Sequence, residues 1–509
     1  MAAIDTTPGT GSVPVATSRG KGSAISLGAK ESRVIWLLLA AAFVAILNET
    51  TMGVAIPDLI DDLGITALAA QWLTTAFMLT MAVVIPITGF LLRRFTTRTM
   101  FVAAMGLFST GTLIAFLAPG FPVLLVARVV QASGTAIMMP LLMTTIMTVV
   151  PSAIRGRMMG RVSIVISLAP AIGPTLAGAL LNAFEWRWIF GVVLPIALVA
   201  LFVGARWIHN LGETTHAPID IPSVILSALG FGGVVFGLSQ LGAGGHGGGA
   251  EAAAASATST TTLVISLVIG VVSLGLFGWR QVLLQRKDDA LLDLRVFRSA
   301  NFSLSIAQMA IMSMAFFGAI TVVPLYLQRV LEVDPLQTGL VVLPGALAMG
   351  LLGPVIGRIY DRWGTTVLLV PGAFITSGML WFFTTFGSET PVLTIAISQT
   401  ILSIGLALSF TPLFTASLAS LKPKFYSYGS AIVGTIQQVA GAAGIALMFG
   451  VMAAASATAT ESGADAIAAE AAGTHAAFLI AAMLSLPLLV GAFLIRKPVD
   501  QHVGAPMAH

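Results

Sequence analysis

Two ionisable residues lie inside long apolar segments of this sequence. Glu49 stands about two-thirds of the way along the first segment, and Arg128 lies in the first half of the fourth. A charge at the centre of a bilayer costs at least about 2.5–3.5 kcal/mol on insertion scales, so each is a candidate for function. We expect the Glu49 carboxyl to carry a proton or attract cationic substrates, and Arg128 to influence a nearby carboxyl without losing its own proton. The alternatives are a solvated Glu49 at the outer mouth and an Arg128 that snorkels to the interface.

Polar amides and aromatic rings in other apolar segments could line a central cavity with these two residues. Gln131 lies three positions after Arg128, on the same face of a helix. Aromatic rings would add an adaptable apolar wall. The alternative for each is ordinary bonding or packing between helices. The predicted cavity residues are Asn48, Phe77, Gln131, Gln308, Phe316, Gln399 and Gln437.

Other residues suggest conformational change. Small residues four apart in the fifth segment permit a bent helix in close contact with a neighbour, although plain packing is the alternative. Charged residues after the second and tenth segments could form ion pairs that hold a gate closed, or could only set the topology. Asp361 could also cap the next helix. The predicted gating residues are Arg93, Arg94, Arg98, Gly173, Pro174, Gly357, Asp361 and Arg362.

Catalytic and metal-binding motifs are missing from the sequence. Cysteine is absent, and the six histidines show no metal-binding spacing such as H-E-x-x-H. There is no Walker-type phosphate loop and no recognisable Ser/His/Asp set. The net charge of +4 comes from basic residues in short loops, so we expect no nucleic-acid partner. We therefore expect neither an enzyme nor a receptor, and no metal or cofactor.

The composition indicates an all-α membrane protein. Hydrophobic residues make up 57% of the chain and charged residues 9%, against about 25% charged in soluble domains. The lipid bilayer must therefore be the main solvent, and a span needs about 20 mostly apolar residues. The predicted spans are 34–56, 70–92, 99–118, 121–149, 157–182, 187–207, 222–241, 261–280, 302–328, 337–359, 365–386, 392–420, 427–453 and 475–496.

The loop charges test this count. Lys and Arg concentrate before the first span and after the second, fourth, eighth, tenth, twelfth and last, as expected for cytoplasmic loops. The intervening loops are poor in them, with Arg329 a mild exception. This alternation requires an even number of spans. We expect a monomer in the inner (cytoplasmic) membrane of a bacterium, with both termini cytoplasmic.

A faint internal duplication suggests two halves. Gly89 precedes a charged residue by four positions at the end of the second span, and Gly357 does so at the end of the tenth. If the seventh and eighth spans are an insertion, each half has six helices, as in many secondary transporters. The predicted parts are a disordered tail at 1–33, a bundle at 34–207, two inserted helices with linkers at 208–298, a bundle at 299–496 and a tail at 497–509.

Several motifs together resemble the fourteen-span drug:proton antiporters of the major facilitator superfamily. They are Leu47-Asn-Glu-Thr50 through Val54-Ala-Ile-Pro57, Leu124-x3-Arg128-x2-Gln131-x2-Gly134, Ala171-Ile-Gly-Pro-Thr-Leu-Ala-Gly178 and Trp186-Arg-Trp-Ile-Phe190. The sequence is most similar to the lincomycin-resistance-like and multidrug exporters. It departs from the family pattern at Arg93 and Thr96, where an acidic residue and a glycine are usual, and at Asn48, where Asp is usual.

The resemblance implies two six-helix bundles that rock about a midplane cavity. It also implies a role for Arg128 in proton coupling. The expected function is export of small amphipathic drugs or metabolites, driven by a proton gradient. The alternative on the same fold is a flippase that moves lipids or cell-envelope precursors between leaflets.

Overall fold

The computed structural model describes residues 28–210, 218, 220–243 and 250–496, without the side chains of 67, 68, 71, 174, 241–243, 250–260, 335 and 336. Both predicted tails fall wholly or mostly outside these residues, as does the Gly- and His-rich stretch 244–249. Fourteen described helices are long and apolar enough to cross a membrane, which confirms the predicted count. The helices are α1 Ala29–Leu63, α2 Ala67–Arg94, α3 Thr97–Phe116, α4 Phe121–Val149, α5 Arg155–Leu181, α6 Arg187–Trp207, α7 Ile221–Ala243, α8 Ala250–Leu284, α9 Ala300–Arg329, α10 Pro335–Trp363, α11 Thr366–Phe383, α12 Val392–Ala419, α13 Tyr426–Glu461 and α14 Ala466–Leu494.

Several helices extend beyond the predicted apolar spans. The predicted loop 57–69 is helical as far as Leu63, where Gly64 ends α1 in a left-handed conformation with φ 58°. The Ala-rich stretch after 453 continues α13 to Glu461. Hydropathy locates the part of a helix that lies in hydrocarbon, whereas helix propensity and capping residues decide where the helix ends. The predicted boundaries therefore stop too early on the water side.

The two halves repeat one packing pattern. In the first six helices α1 contacts α5 and α6, α4 contacts α2 and α3, and α3 contacts α6. In the last six, α9 contacts α13 and α14, α12 contacts α10 and α11, and α11 contacts α14. These pairs correspond one to one when α1–α6 are matched with α9–α14. The contacts between the halves correspond too, since α5 meets α10 and α13 meets α2.

The inserted pair α7 and α8 forms a hairpin at one side of the junction between the halves. α7 packs along α8 and also contacts both α2 and α13. Among the main contacts of the described residues, neither α7 nor α8 contacts α5 or α10. The insertion therefore makes two otherwise corresponding interfaces unequal.

The two ends of the helix array differ in charge. At the end where α1 begins and α2 ends, the residues include Arg93, Arg94, Arg98, Arg155, Arg157, Arg358, Arg362, Lys422 and Lys424. At the opposite end they include Asp58, Asp61, Asp62, Glu185, Glu332, Asp334, Glu389, Glu461 and Asp465. We call these the basic end and the acidic end.

Candidate functional site

Arg128 lies at the centre of a polar cluster inside the first bundle. Its side chain is 1% exposed, so it does not snorkel to either interface. One terminal nitrogen donates to Gln131 Oε1 at 2.7 Å and more weakly to Asn48 Oδ1 at 3.5 Å. The guanidinium carbon lies 4.1 Å from the centroid of the Phe77 ring, a cation–π geometry. The structure thus brings four predicted site residues together from α1, α2 and α4.

The cluster continues to α3 through a residue that the sequence analysis missed. Gln131 Nε2 donates to Thr112 Oγ1 at 2.9 Å, and the Thr112 hydroxyl donates to the carbonyl of Phe108 at 2.7 Å. Each group in this chain has a partner, which fixes the amide orientation of Gln131. A threonine in an apolar helix carries no distinctive signal, because most such hydroxyls bond to their own backbone.

Glu49 is half-buried beside this cluster and interacts electrostatically with Arg128. Among the described residues its carboxyl has no hydrogen-bond or ion-pair partner. Arg128 is held instead by the neutral oxygens of Asn48 and Gln131, which leave its charge uncompensated at contact distance. A carboxyl group that keeps an accessible surface next to a fixed positive charge can exchange a proton and change the local charge by one unit.

The predicted cavity residues of the second bundle do not join this cluster. Gln308 Nε2 donates to the carbonyl of Leu488 at 2.6 Å, so it links α9 to α14. Gln399 is buried on α12, and its Oε1 has no partner within the described structure. Phe316 packs edge-on against Phe410, with centroids 5.8 Å apart. Gln437 is half-buried on α13. Among the predicted cavity residues that the structure describes, the second bundle therefore offers amides and rings but no ionisable group.

Asp361 joins the two bundles at the basic end. Its carboxylate accepts the backbone N–H of Gly156 at 2.7 Å and of Arg157 at 2.8 Å. These amides belong to the first turn of α5, where a negative charge is favoured by the helix dipole. The capped helix is thus α5 of the other half, rather than the following helix α11 that the sequence also allowed. Gly357 approaches α5 so closely that a Cβ would lie 2.0 Å from the Gly156 carbonyl oxygen.

Arg93 makes the corresponding contact between α2 and α13. A terminal nitrogen donates to the Tyr428 hydroxyl at 2.7 Å, and the guanidinium carbon lies 5.0 Å from the centroid of that ring. Tyr428 is the second residue that the sequence analysis missed. The internal repeat could have indicated it, because α13 corresponds to α5, and the first turns of α5 receive Asp361.

The remaining predicted gating residues lie elsewhere. Arg94 and Arg362 are positioned over the rings of Phe95 and Trp363, and Arg98 is exposed. Gly173 lies within the first bundle, where a Cβ would meet Thr50 Oγ1 at 2.2 Å, so α5 packs tightly on α1 beside Glu49. Pro174 lies in α5, but its side chain is outside those the structure describes.

The Trp186-Arg-Trp-Ile-Phe190 motif has a structural role at the acidic end. Trp186 Nε1 donates to the Asp62 carboxylate at 2.8 Å, and Arg187 donates to the same carboxylate at 3.2 Å and to the carbonyl of Ala118 at 3.3 Å. The motif therefore fastens the start of α6 to the ends of α1 and α3. It contributes no group to the Arg128 cluster.

Comparison with known proteins agrees with this architecture. The sequence profile of the Major Facilitator Superfamily matches residues 38–445. The chain is 40% identical to the uncharacterized MFS-type transporter YcnB of Bacillus subtilis, over 92% of this chain and 95% of that protein. It is 38% identical to the lincomycin resistance protein LmrB of the same organism, over 91% and 96%.

A solved structure shows the same fold. The human organic anion transporter MFSD10 (TETRAN) superimposes with a TM-score of 0.62 over 91% of this chain and 99% of that one, at 13% identity. The profile match and the relatives identify a transporter and not an enzyme. This multi-pass membrane protein belongs to the major facilitator superfamily.

Proposed function

We propose that the protein is a proton-coupled exporter of small amphipathic molecules, in which Glu49 carries the proton and Arg128 sets its response. The observation that carries this proposal is the half-buried Glu49 carboxyl, which lies beside a buried guanidinium and has no bonding partner among the described residues. A purely structural carboxylate at this depth would be expected to bond to Arg128 directly, because an unpaired charge is costly in hydrocarbon.

The network around Arg128 supports a coupling role. When Glu49 is ionised, its charge balances that of Arg128. When Glu49 is protonated, the neutral oxygens of Asn48 and Gln131 remain, and a positive charge is left in the cluster. This unbalanced positive charge would oppose the binding of a cationic or amphipathic substrate beside Arg128. Protonation and substrate binding would therefore exclude each other, which is the requirement for antiport.

The charges at the two ends indicate how the protein is oriented in the membrane. The basic end is expected to face the cytoplasm by the positive-inside rule, which places both termini there. At this end the two halves touch through Asp361 and through Arg93. The conformation described here is then closed toward the cytoplasm, the state in which an exporter would release its cargo and take up a proton.

An apolar groove bears on the alternative cargo, a lipid. It encloses about 300 Å³ between α2 and the inserted hairpin. Its lining contains no charged residue that could recognise a lipid head group or a cell-envelope precursor. This groove therefore provides no head-group site, and small amphipathic cargo remains the proposal. The residues that line the groove are Leu79, Val83, Ala228, Leu229, Gly232, Gly233, Phe236, Ser266 and Ile269.

The proposal is tested in everted vesicles with an acidic lumen, to which a panel of compounds that includes lincomycin and cationic dyes is added from outside. The parent protein should accumulate one or more of these compounds and release protons as it does so. Glu49→Gln keeps the size of the side chain but cannot carry a proton, and it should reduce proton-driven accumulation at least about tenfold. Glu389→Gln, an exposed carboxyl at the acidic end, is the matched control and should behave as the parent.

Two outcomes would reject parts of this proposal. If Glu49→Gln accumulates substrate with the pH dependence of the parent, the proton is carried elsewhere. If no soluble compound in the panel is transported, while a labelled phospholipid crosses between leaflets in proteoliposomes, the cargo assignment is wrong and the flippase alternative is correct.

A further inference from the structure

The middle of the linker between α8 and α9 is buried, although the linker connects two membrane helices at the basic end. Ala290, Leu291, Leu292 and Val296 are each at most 4% exposed, and Asp293 is 1% exposed. Connecting segments normally run over the surface with exposed backbone. This linker, residues 285–299, therefore packs into the protein as a structural element of its own.

Ion pairs hold the linker in one shape. The buried Asp293 carboxylate accepts the backbone N–H of Arg295 and its Nε, each at 2.9 Å. Arg295 also pairs with Asp288, and this guanidinium holds the pKa of the Asp288 carboxyl below its usual range. The guanidinium carbon lies 5.7 Å from the centroid of the Phe425 ring, next to the start of α13. The linker is thus rigid and adjoins α13.

The linker is fastened to the inserted hairpin by a chain of hydrogen bonds. The backbone N–H of Leu292 donates to Gln281 Oε1 at 3.1 Å, and Gln281 Nε2 donates to Ser223 Oγ at 2.8 Å. Ser223 bonds to Asp220, which also accepts two 2.7 Å hydrogen bonds from Arg280. The ends of α7 and α8 and the linker are therefore one connected unit.

One hydroxyl group joins this unit to the interface between the halves. Tyr428 on α13 accepts a hydrogen bond from Arg93 on α2 and donates its own proton to the carbonyl of Ala290 at 3.0 Å. Tyr428 is 1% exposed, so neither bond can be replaced by water while the basic end is closed. When α2 and α13 separate, the bond from Arg93 must break.

We propose that the inserted hairpin and its linker form a clamp that holds the α2–α13 interface closed, with Tyr428 as its positioning residue. The linker carbonyl of Ala290 accepts a hydrogen bond from the Tyr428 hydroxyl, and a lone pair of that hydroxyl oxygen is thereby aimed at Arg93. α7 contacts both α2 and α13, so the clamp spans the interface that must open. This inference rests on the alternating-access part of the proposed function and does not depend on proton coupling or on the cargo.

The clamp is tested by measuring how often the basic end is open. The chain has no cysteine, so spin labels can be attached to Arg98→Cys and Lys422→Cys, two exposed positions on either side of the interface. Pulsed electron spin resonance then gives the ratio of closed to open molecules without substrate. Tyr428→Phe keeps the ring and removes both hydrogen bonds, and it should lower this ratio roughly tenfold. Gln281→Met, which removes the hydrogen bonds from α8 to Leu292 and Ser223, should shift the ratio in the same direction by a smaller factor.

Tyr426→Phe is the matched control. Tyr426 lies two residues before Tyr428 and is also buried, but its hydroxyl makes no hydrogen bond within the described structure. It should leave the ratio unchanged. The clamp is ruled out if Tyr428→Phe and Gln281→Met both keep the parent ratio, or if Tyr426→Phe shifts the ratio as much as Tyr428→Phe does. Because the measurement needs neither substrate nor pH gradient, a failure of proton coupling at Glu49 would leave its result intact.

Discussion

The α5–α10 and α2–α13 interfaces occupy corresponding places in the two halves and are held by opposite charges. At the first, the Asp361 carboxylate caps the N-terminus of α5. At the second, the Arg93 guanidinium reaches the hydroxyl of Tyr428. Both charged residues stand four positions after a glycine, Gly357 or Gly89. The repeated helix contact is therefore kept in both halves, although the contacting residue is negatively charged in one and positively charged in the other.

The two interfaces also differ in how closely the backbones approach. Gly357 and Gly353 face Gly156 and Gly160 so tightly that added Cβ atoms would lie 2.0–2.6 Å from backbone atoms. Gly89 leaves more room, with its nearest contact the Cβ of Ala431 at 3.0 Å. The first interface thus depends on bare backbone contact. The second depends on side chains and on the clamp that covers it.

The largest difference should come from adding one methyl group to each interface. Gly357→Ala places a Cβ against the Gly156 carbonyl. This carbonyl is part of helix α5, so it cannot move without moving the helix. Overpacking of this kind costs up to about 3 kcal/mol, so the closed state should lose most of its population. Gly89→Ala, the matched change, should cost below about 1 kcal/mol. Spin-label distances across the basic end measure both, and equal shifts would show that the interfaces are equally tight.

The next difference concerns charge. Asp361→Asn keeps one oxygen acceptor but removes the negative charge from the N-terminus of α5, and it should weaken closure by about 2 kcal/mol. Arg93→Gln keeps a donor for Tyr428 and should weaken closure by about 1 kcal/mol. The same distance measurement, made at two salt concentrations, tests the cause. The Asp361 effect should shrink more at high salt, because it rests on a charge at a partly exposed helix end, whereas the main partner of Arg93 is a neutral hydroxyl.

A pair of hydroxyl groups also links the two halves at each interface, and the two pairs should contribute equally to closure. Ser163 on α5 bonds to Thr411 on α12 at 2.7 Å, and Thr144 on α4 bonds to Ser430 on α13 at the same distance. Thr411→Ala and Thr144→Ala, which each remove one hydroxyl that has no other hydrogen-bond partner among the described residues, should each weaken closure by about 1 kcal/mol. Transport rates and label distances should respond alike in the two variants. A difference above about fivefold between them would mean that the repeat is not energetically symmetric at this depth.

The sequence predicted the helices of the two halves better than the side-chain contacts between them. Long apolar segments and the charges of alternate loops indicated the fourteen helices, because both patterns follow from the cost of burying charge in lipid. The sequence placed Asn48 and Arg128 at one predicted cavity but did not predict that the two side chains bond to each other. Tyr428 could be indicated only by the internal repeat, and Thr112 could not be predicted, since a threonine in a helix acquires its role from the residue it faces. The register between helices decides that partner, and one sequence does not contain it.

The smallest expected effect is confined to the interface that carries the clamp. Asp220 lies beside Arg280, which lowers the pKa of this carboxyl to about 2. The pair therefore stabilises the hairpin above the ordinary pKa of 3.8, and this contribution is lost as the pH falls from there through 2. Because the pair is partly exposed, Arg280→Gln should weaken closure by about 0.5 kcal/mol at neutral pH. Labels across α2 and α13 should report this change, and labels across α5 and α10, at Ala153 and Trp363, should not. Equal responses at both interfaces would show that the hairpin acts on the whole molecule and not on one side of it.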